Sequence, residues 1–439
     1  MKDKVSKFIN VFKKDGILKT TKKTYKYCMA NYINKINFIR KIEFKINKQK
    51  ILRNIQEILE YSDYERILVW RGSFGWNVPL YQRPQHIARC LSDKKCLIFY
   101  EVTRMTDKTR FIEKVKDNLF LINYEIKAFD TLLWQELEKI NNPKYLQLYS
   151  TCWDVSEDTL NKYVNNGFTL LYEYIDDLNP LLAGTKELPE NVKKIHKYVC
   201  ENIDSALVVT SADTLYKDIM QKRKNKKNII LSTNGVEYKH FANNKNKEIK
   251  NLKYKKIIDE KKIIVGYYGA LASWFDYELL KYIANKNKNI NFVLIGIKYD
   301  NSFDESKIEE IENIHYLGKV DYKDLPDYAN YFDICIIPFI INEITLSTNP
   351  IKVFEYMAME KPIITTDMPE CRKYKSVIIA KNKEEFDDKI KNINILYNSD
   401  MKKIEIEEAK QNSWEYKANE ILELIKNKER LSKWKKKKY

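Results

Sequence analysis

Short apolar runs at 66–70, 96–100, 119–123, 145–149, 169–174, 206–210 and 229–232 alternate, for the most part, with stretches of helical spacing. This alternation restricts the chain more than any other feature, because strand, loop, helix, strand is the repeating unit of a parallel sheet covered by helices. The first unit shows it plainly: Arg66-Ile-Leu-Val-Trp70 runs into the glycine-containing loop Arg71-Gly72-Ser73-Phe74-Gly75, and a helix is predicted over 84–91. A polar, Lys- and Asn-rich stretch at 243–256 interrupts the series. It resumes at 262–269 and continues through 292–295, 314–317, 334–338, 362–365 and 377–379. The pattern predicts two successive doubly wound α/β domains facing a cleft. Such sheets bind ligands at the carboxyl ends of their strands, so the cleft is the expected site.

Four segments follow: a basic helical extension at 1–65, a first domain at 66–242, a second at 243–401, and a closing helix with a basic tail at 402–439. The extension carries helical stripes at Val5, Phe8, Ile9 and Phe12, at Tyr32, Ile36, Ile39 and Ile42, and at Ile51, Ile55, Ile58 and Leu59. One closing helix is predicted over 402–428, with Trp414, Tyr416, Ile421, Leu422 and Ile425. Charge divides along the same lines. The net +17 of the chain comprises +12 in residues 1–50 and +7 in 426–439, which leaves −2 for 51–425. A uniformly basic nucleic-acid coat is thereby excluded. Seven dispersed cysteines without a CxxC fit a reducing compartment, and no run of about 18 apolar residues marks a membrane span. A cytoplasmic location is expected.

The stretch Asn349-Pro-Ile-Lys-Val-Phe-Glu355 follows a strand and opens a helix. Pro350 suits a first helical turn, and the free N–H groups of Ile351 and Lys352 form an anion site that the lysine can reinforce. Glu355, one turn on, can accept two hydrogen bonds from a ribose diol; an ordinary solvent-facing glutamate fits the pattern equally well. In the first domain, Arg83 and His86 lie in the helix after the first strand–loop unit, and Gly75 closes that loop. Asp176-Asp177 follow the strand at 169–174. An aspartate there can orient or deprotonate an acceptor hydroxyl. A metal-binding pair is the lesser reading, because no third ligand is near in sequence. His196 and His315 read as structural, and His240 falls in an interdomain stretch.

The segment 349–370, NPIKVFEYMAMEKPIITTDMPE, resembles the nucleotide-sugar motif of family-4-like glycosyltransferases (group 1) of the GT-B fold. Gly266-Tyr-Tyr-Gly-Ala-Leu-Ala-Ser-Trp-Phe-Asp276, Ser211 with Asn234-Gly235-Val236, and the helix around Trp414 are similar to the same group. Gln82-Arg-Pro-Gln-His-Ile-Ala88 and Tyr174-Ile-Asp-Asp-Leu178 resemble the subgroup of teichuronic acid and other bacterial surface-polysaccharide transferases.

The resemblance implies a donor site in the second domain and an acceptor site in the first. Glu355 would bind the ribose, Gly269 and Ala270 would admit the diphosphate, and Lys352 with Ile351 would hold it. Val320 and Asp321 would meet the base, and Ser347 and Asn349 complete the donor side. Gly75 and Arg83 would serve the acceptor, with Asp176, Asp177 and His86 as catalytic candidates. No cofactor and no metal are implied; the nucleotide-diphosphate sugar is a substrate. The family's second glutamate, eight residues before Glu355, is replaced by Ser347. Glu360 stands where a glycine is usual, and Trp274-Phe275-Asp276 where an arginine is usual.

The expected activity is sugar transfer to a lipid-linked or growing cell-envelope or capsule glycan. The basic termini, including Lys433-Trp-Lys-Lys-Lys-Lys-Tyr439, would touch an anionic membrane from its cytoplasmic side, both on the cleft side of the molecule. A nucleotide-sugar epimerase, or a catalytically silent relative of the same fold, is the near alternative. A nucleic-acid-binding protein is the distant one, since no helix–turn–helix, zinc or RNA-binding motif is present.

Overall fold

In the computed structural model, the described residues are 38–71, 75–78, 81–102, 107–123, 127–178, 188–242 and 248–438. The stripe from Val5 to Phe12, and Tyr32 and Ile36, lie outside them.

The first domain is built on β1 (Arg66–Arg71), β2 (Cys96–Glu101), β3 (Ile112–Lys116), β4 (Leu119–Ile122), β5 (Lys144–Tyr149), β6 (Phe168–Tyr174), β7 (Leu207–Thr210) and β8 (Ile229–Leu231). They form one sheet in the order β3-β4-β2-β1-β5-β6-β7-β8, parallel except for β3, which pairs antiparallel with β4. β3 is the one strand the apolar runs do not announce. Its sequence IEKVK is charged and only half buried, as suits an exposed edge that must not recruit another strand. The second domain holds β9 (Ile263–Tyr268), β10 (Ile290–Ile295), β11 (Ile314–Tyr316), β12 (Ile334–Ile337), β13 (Ile363–Thr366) and β14 (Val377–Ala380). Their order is β11-β10-β9-β12-β13-β14, and all five neighbouring pairs are parallel. Strand order reverses between β1 and β5 and again between β9 and β12, and each reversal leaves a crevice at the carboxyl ends.

Helices cover both faces of the first sheet. A helix described over 38–61 buries Phe44, Ile51, Ile55 and Ile58 against Val69, Phe99 and Leu137. On the other face, helix Arg83–Ser92 and helix Trp414–Lys438 bring Ile87, Leu91, Trp414, Ile421 and Ile425 onto Trp70, Ile98 and Val209. The chain's last helix therefore crosses back to the first domain.

The single helix expected over 402–428 is two, Ser399–Gln411 and Trp414–Lys438. At the break, Val236 N–H donates to the Asn412 carbonyl (2.9 Å) and Trp414 N–H donates to the Val236 carbonyl (3.0 Å). This bridge uses backbone groups that an unbroken helix would need. It requires Gly235, since a Cβ there would sit 2.7 Å from the Asn412 oxygen. The outgoing and returning connections between the domains are thus fastened to each other.

The described start of helix 38–61 and the end of the last helix lie at opposite edges of the first sheet. Glu429 accepts from Arg66 Nε and Tyr145 Oη, both at 3.0 Å, and those residues begin β1 and β5. The basic tail therefore leaves at the amino edge of the sheet. The start of helix 38–61 lies at the carboxyl edge. There Phe44 packs 6.0 Å from Phe111 and Glu43 pairs with Arg110, next to Ile112, which faces the last residue of β4.

Candidate functional site

Helix Ile351–Ala358 starts just beyond Pro350 and aims its amino end at the crevice beside β9. At the carboxyl end of β9, Gly269 takes φ +148°, a conformation open chiefly to glycine. Its N–H donates to the Ile295 carbonyl at 2.8 Å, and the Tyr267 hydroxyl donates to the Ala270 carbonyl at 3.0 Å. This turn leaves a groove that the Lys352 side chain fills: a Cβ on Gly269 would lie 2.0 Å from Lys352 Cε and 2.8 Å from Nζ. The ammonium also lies 6.0 Å above the Tyr267 ring.

Glu355 sits one turn further along and is 7% exposed. Burial pushes its carboxyl up to about 7, with Lys352 and the nearby Tyr268 hydroxyl pulling the other way. Burial in turn lowers Lys352, and Glu355 opposes that shift. The Tyr268 hydroxyl is buried and completes no hydrogen bond of its own among the described residues, so its approach to Glu355 is electrostatic contact. A carboxylate and an ammonium at a helix amino end, next to a glycine turn, can hold a diol and a diphosphate about one helical turn apart.

The other donor-side positions fall differently. Val320 packs on the second-domain core, and the Asp321 carbonyl accepts from Asp324 and Leu325, capping the turn that follows. Tyr322, next in sequence, is the residue that reaches Glu355 electrostatically, and its ring also meets Tyr81 (6.1 Å) and His86 (5.9 Å) of the first domain. Ser347 is buried ahead of the donor helix. Asn349 works between domains: its Oδ1 and carbonyl accept from Asn234 (3.1 and 2.9 Å), and its Nδ2 donates to Glu370 (3.1 Å). Glu370 also accepts from the Asp213 N–H at 2.9 Å.

On the acceptor side, Arg83 is buried. Its Nε donates to Glu173 at 2.6 Å and one terminal nitrogen donates to the carbonyls of Ser232 and Thr233, at 3.1 and 2.8 Å. Gly75 accepts from Gln85 at 3.0 Å, tying the loop to helix Arg83–Ser92. His86 stacks on Trp414 with centroids 5.0 Å apart and planes 11° off parallel. Burial, with Arg89 and His240 adding to it, lowers His86 to about 3, so the ring is neutral and packed between domains.

Asp176 and Asp177 diverge. Asp176 is open to water in the cleft yet ringed by protein atoms; that surround raises its carboxyl to about 6, with Arg83 lowering and Asp177 raising it. Asp177 lines an outer groove with Tyr174, His196 and Asp218. Among the described residues no three His, Cys, Asp or Glu side chains gather as a metal site.

The sequence reading missed one cluster at this edge. Arg71, ending β1, donates to Glu101, ending β2, at 2.8 Å, and lies 3.8 Å from Asp130. Burial lifts Glu101 to about 8 against the pull of Arg71. A charged residue closing each of two strands whose centres are apolar was the available signal.

Residues 263–394 match the family model described as Glycosyl transferases group 1. TuaH of Bacillus subtilis, a protein attributed to teichuronic acid biosynthesis as a glycosyltransferase, is 26% identical over 186 residues. That match spans 42% of this chain and 45% of TuaH, less than half the length of either. Among solved structures, sucrose-phosphate synthase from Thermosynechococcus elongatus aligns with a TM-score of 0.62 at 12% identity, over 83% of this chain and 98% of the other. A glycosyltransferase from Rickettsia africae gives 0.57 at 16%, over 84% and 99%. Anabaena Alr3699/HepE in complex with UDP and glucose gives 0.52 at 11%, over 83% and 99%. At these identities the structures establish the fold. The fold is the GT-B fold of these structures, and the match to the group 1 family model lies within the second domain. The matched family segment contains Gly269, Lys352 and Glu355, which come together at helix Ile351–Ala358.

Proposed function

We propose that this chain transfers a sugar from a nucleoside-diphosphate donor to a lipid-linked or growing surface-polysaccharide acceptor at the cytoplasmic face of the membrane, without a metal. The observation that carries the reading is Lys352 lying in the Gly269 groove with Glu355 one turn behind it. Glu355 would accept from the ribose diol. Lys352 and the first N–H groups of its helix would hold the diphosphate and stabilise the charge it gains as the bond to the sugar's anomeric carbon breaks. An acceptor hydroxyl oxygen forms the new bond to that carbon, and its proton passes to Asp176 across the cleft. Fixed donors of this kind perform the electrostatic work that a metal performs elsewhere, so no cation is required by the chemistry. Uridine is the first base to test, because the Anabaena relative was solved with UDP and glucose. A glycan of the teichuronic acid type is the first acceptor to test, given the likeness to TuaH.

The test is a thermal-shift screen against nucleoside diphosphates, followed by donor turnover with and without acceptor glycolipid. Stabilisation by one nucleotide, lost in Glu355→Ala, is expected. No response to any nucleotide would sink the reading.

A further inference from the structure

Helix 38–61 has two apolar faces, and among the described residues only one of them is packed. Phe44, Ile51, Ile55 and Ile58 are buried on the sheet. Phe38, Ile39, Ile42 and Ile46 are 65%, 56%, 43% and 77% exposed. At about 100° per residue the second set spans a sector of about 100°, roughly half a turn away from the first. A helix on a globular domain needs one such stripe, and a second is an interaction surface. Its flanks are basic: Lys41, Lys45, Lys48 and Lys50 stand against one acidic residue, Glu43, which pairs with Arg110.

We propose that this outer stripe seats the first domain on an anionic lipid surface. Large apolar side chains flanked by lysines are the composition of a helix lying in a membrane interface. Lysine is depleted in protein–protein contacts, and a second copy would bring two strongly basic segments together. Position adds to chemistry. The stripe lies at the carboxyl edge of the first sheet, the edge that carries Asp176 and Arg71, whereas the basic tail leaves at the amino edge near Arg66 and Tyr145. Seated by the stripe, the acceptor half of the cleft opens beside the lipid; seated by the tail, it would face away. The proposal deepens the membrane part of the reading above and rests on it for a lipid acceptor, but not on the transfer chemistry.

Flotation of the full-length chain with vesicles tests it, comparing phosphatidylglycerol-containing with pure phosphatidylcholine vesicles. Ile42→Ser with Ile46→Ser, both at exposed positions, should weaken binding to anionic vesicles at least about tenfold. Lys41→Glu with Lys45→Glu should do the same without removing apolar surface. Deletion of 433–439 should leave most binding in place. Unchanged binding in both double variants overturns the proposal, as does complete loss on tail deletion alone. A concentration-dependent dimer that Ile42→Ser with Ile46→Ser dissociates, without lipid binding, also overturns it by assigning the stripe to a second copy. Nucleotide thermal shifts on the same samples separate the two readings. Stripe-dependent flotation without any nucleotide response would retain this surface and discard the donor site.

Discussion

Lys352 occupies the space where Gly269 would carry a side chain, with its Cε 2.0 Å from the position of a Cβ. Two residues 83 positions apart therefore share one volume, and the ammonium is delivered to the glycine turn without a covalent neighbour to direct it. Gly269→Ala must expel the lysine and also strain a backbone at φ +148°. Stability is expected to fall by about 1–3 kcal/mol. Nucleotide-diphosphate affinity should fall by more than about tenfold, because the cation is displaced from the phosphate position. Urea unfolding and calorimetric titration read the two effects separately; normal affinity in Gly269→Ala would show that Lys352 does not act from this groove.

Glu355 links stability, and through its proposed ribose contact donor affinity, to pH. Its folded pKa, about 7, lies above the ordinary carboxyl value of 4.5, so the native state keeps this proton longer than the unfolded chain. The group therefore costs the fold progressively more as pH rises from the unfolded value to about 7. Between pH 4 and pH 8, the stability of Glu355→Gln relative to the wild type should shift by about 2–3 kcal/mol in favour of the variant. Affinity for a nucleotide-sugar, whose phosphates do not titrate in this range, should strengthen in the wild type as pH rises through 7 and be flat in Glu355→Gln. A parallel pH dependence in the two proteins would assign the titration elsewhere.

Arg83 ties the first sheet to the connection that leads into the second domain. It donates to Glu173, itself wholly buried, and to the carbonyls of Ser232 and Thr233, which begin the connection to the second domain. Arg83→Ala leaves the Glu173 carboxylate buried in the sheet without its ion-pair partner, still accepting from the Gln147 amide. The expected loss is about 3–5 kcal/mol, while Arg83→Met with Glu173→Gln, which removes both charges, should cost less. Urea midpoints for the two proteins decide it. Equal losses would mean that the backbone contacts of Arg83, and not its ion pair, hold this region.

The strands were legible because they are nearly all buried on both faces, so runs such as Ile334–Ile337 and Val377–Ala380 stand out by composition alone. β3 was not, because an edge strand trades apolar residues for charge. The break at Asn412-Ser413 is invisible to periodicity: both flanks have helical spacing, and the interruption comes from a bridge to Val236, 177 positions earlier. Likewise 349–355 announced a helix amino end with a lysine and a glutamate, but the Gly269 groove that receives the lysine exists only once β9 and the donor helix meet. Asn349 shows the reverse. Its place in the motif suggested a ligand contact, and its side chain is spent on Asn234 and Glu370, joining the domains.

Adjacent aspartates on the acceptor side should behave differently, because they leave β6 in different directions. Asp176 faces Arg83 in the cleft, raised by its surround to about 6, close enough to neutrality to take a proton and release it again. Asp177 lines the outer groove beside Tyr174 and Asp218. Asp176→Asn should lower kcat by about 10²–10⁴-fold with KM for the donor nearly unchanged, since the proposed nucleotide site lies in the other domain. Its raised pKa should appear as an acidic limb in the wild-type rate profile, with activity falling as pH drops through about 6, and that limb should vanish from the residual rate of Asp176→Asn. Asp177→Asn, at a surface outside the cleft, should change kcat by less than about threefold. Initial rates across pH 5–8 (roughly one unit below to two above the Asp176 value) for the three proteins discriminate the two carboxyls. Full turnover by Asp176→Asn would remove it as the base and leave Glu101, buried at the end of β2 and lifted to about 8, as the next carboxyl at the same edge to substitute.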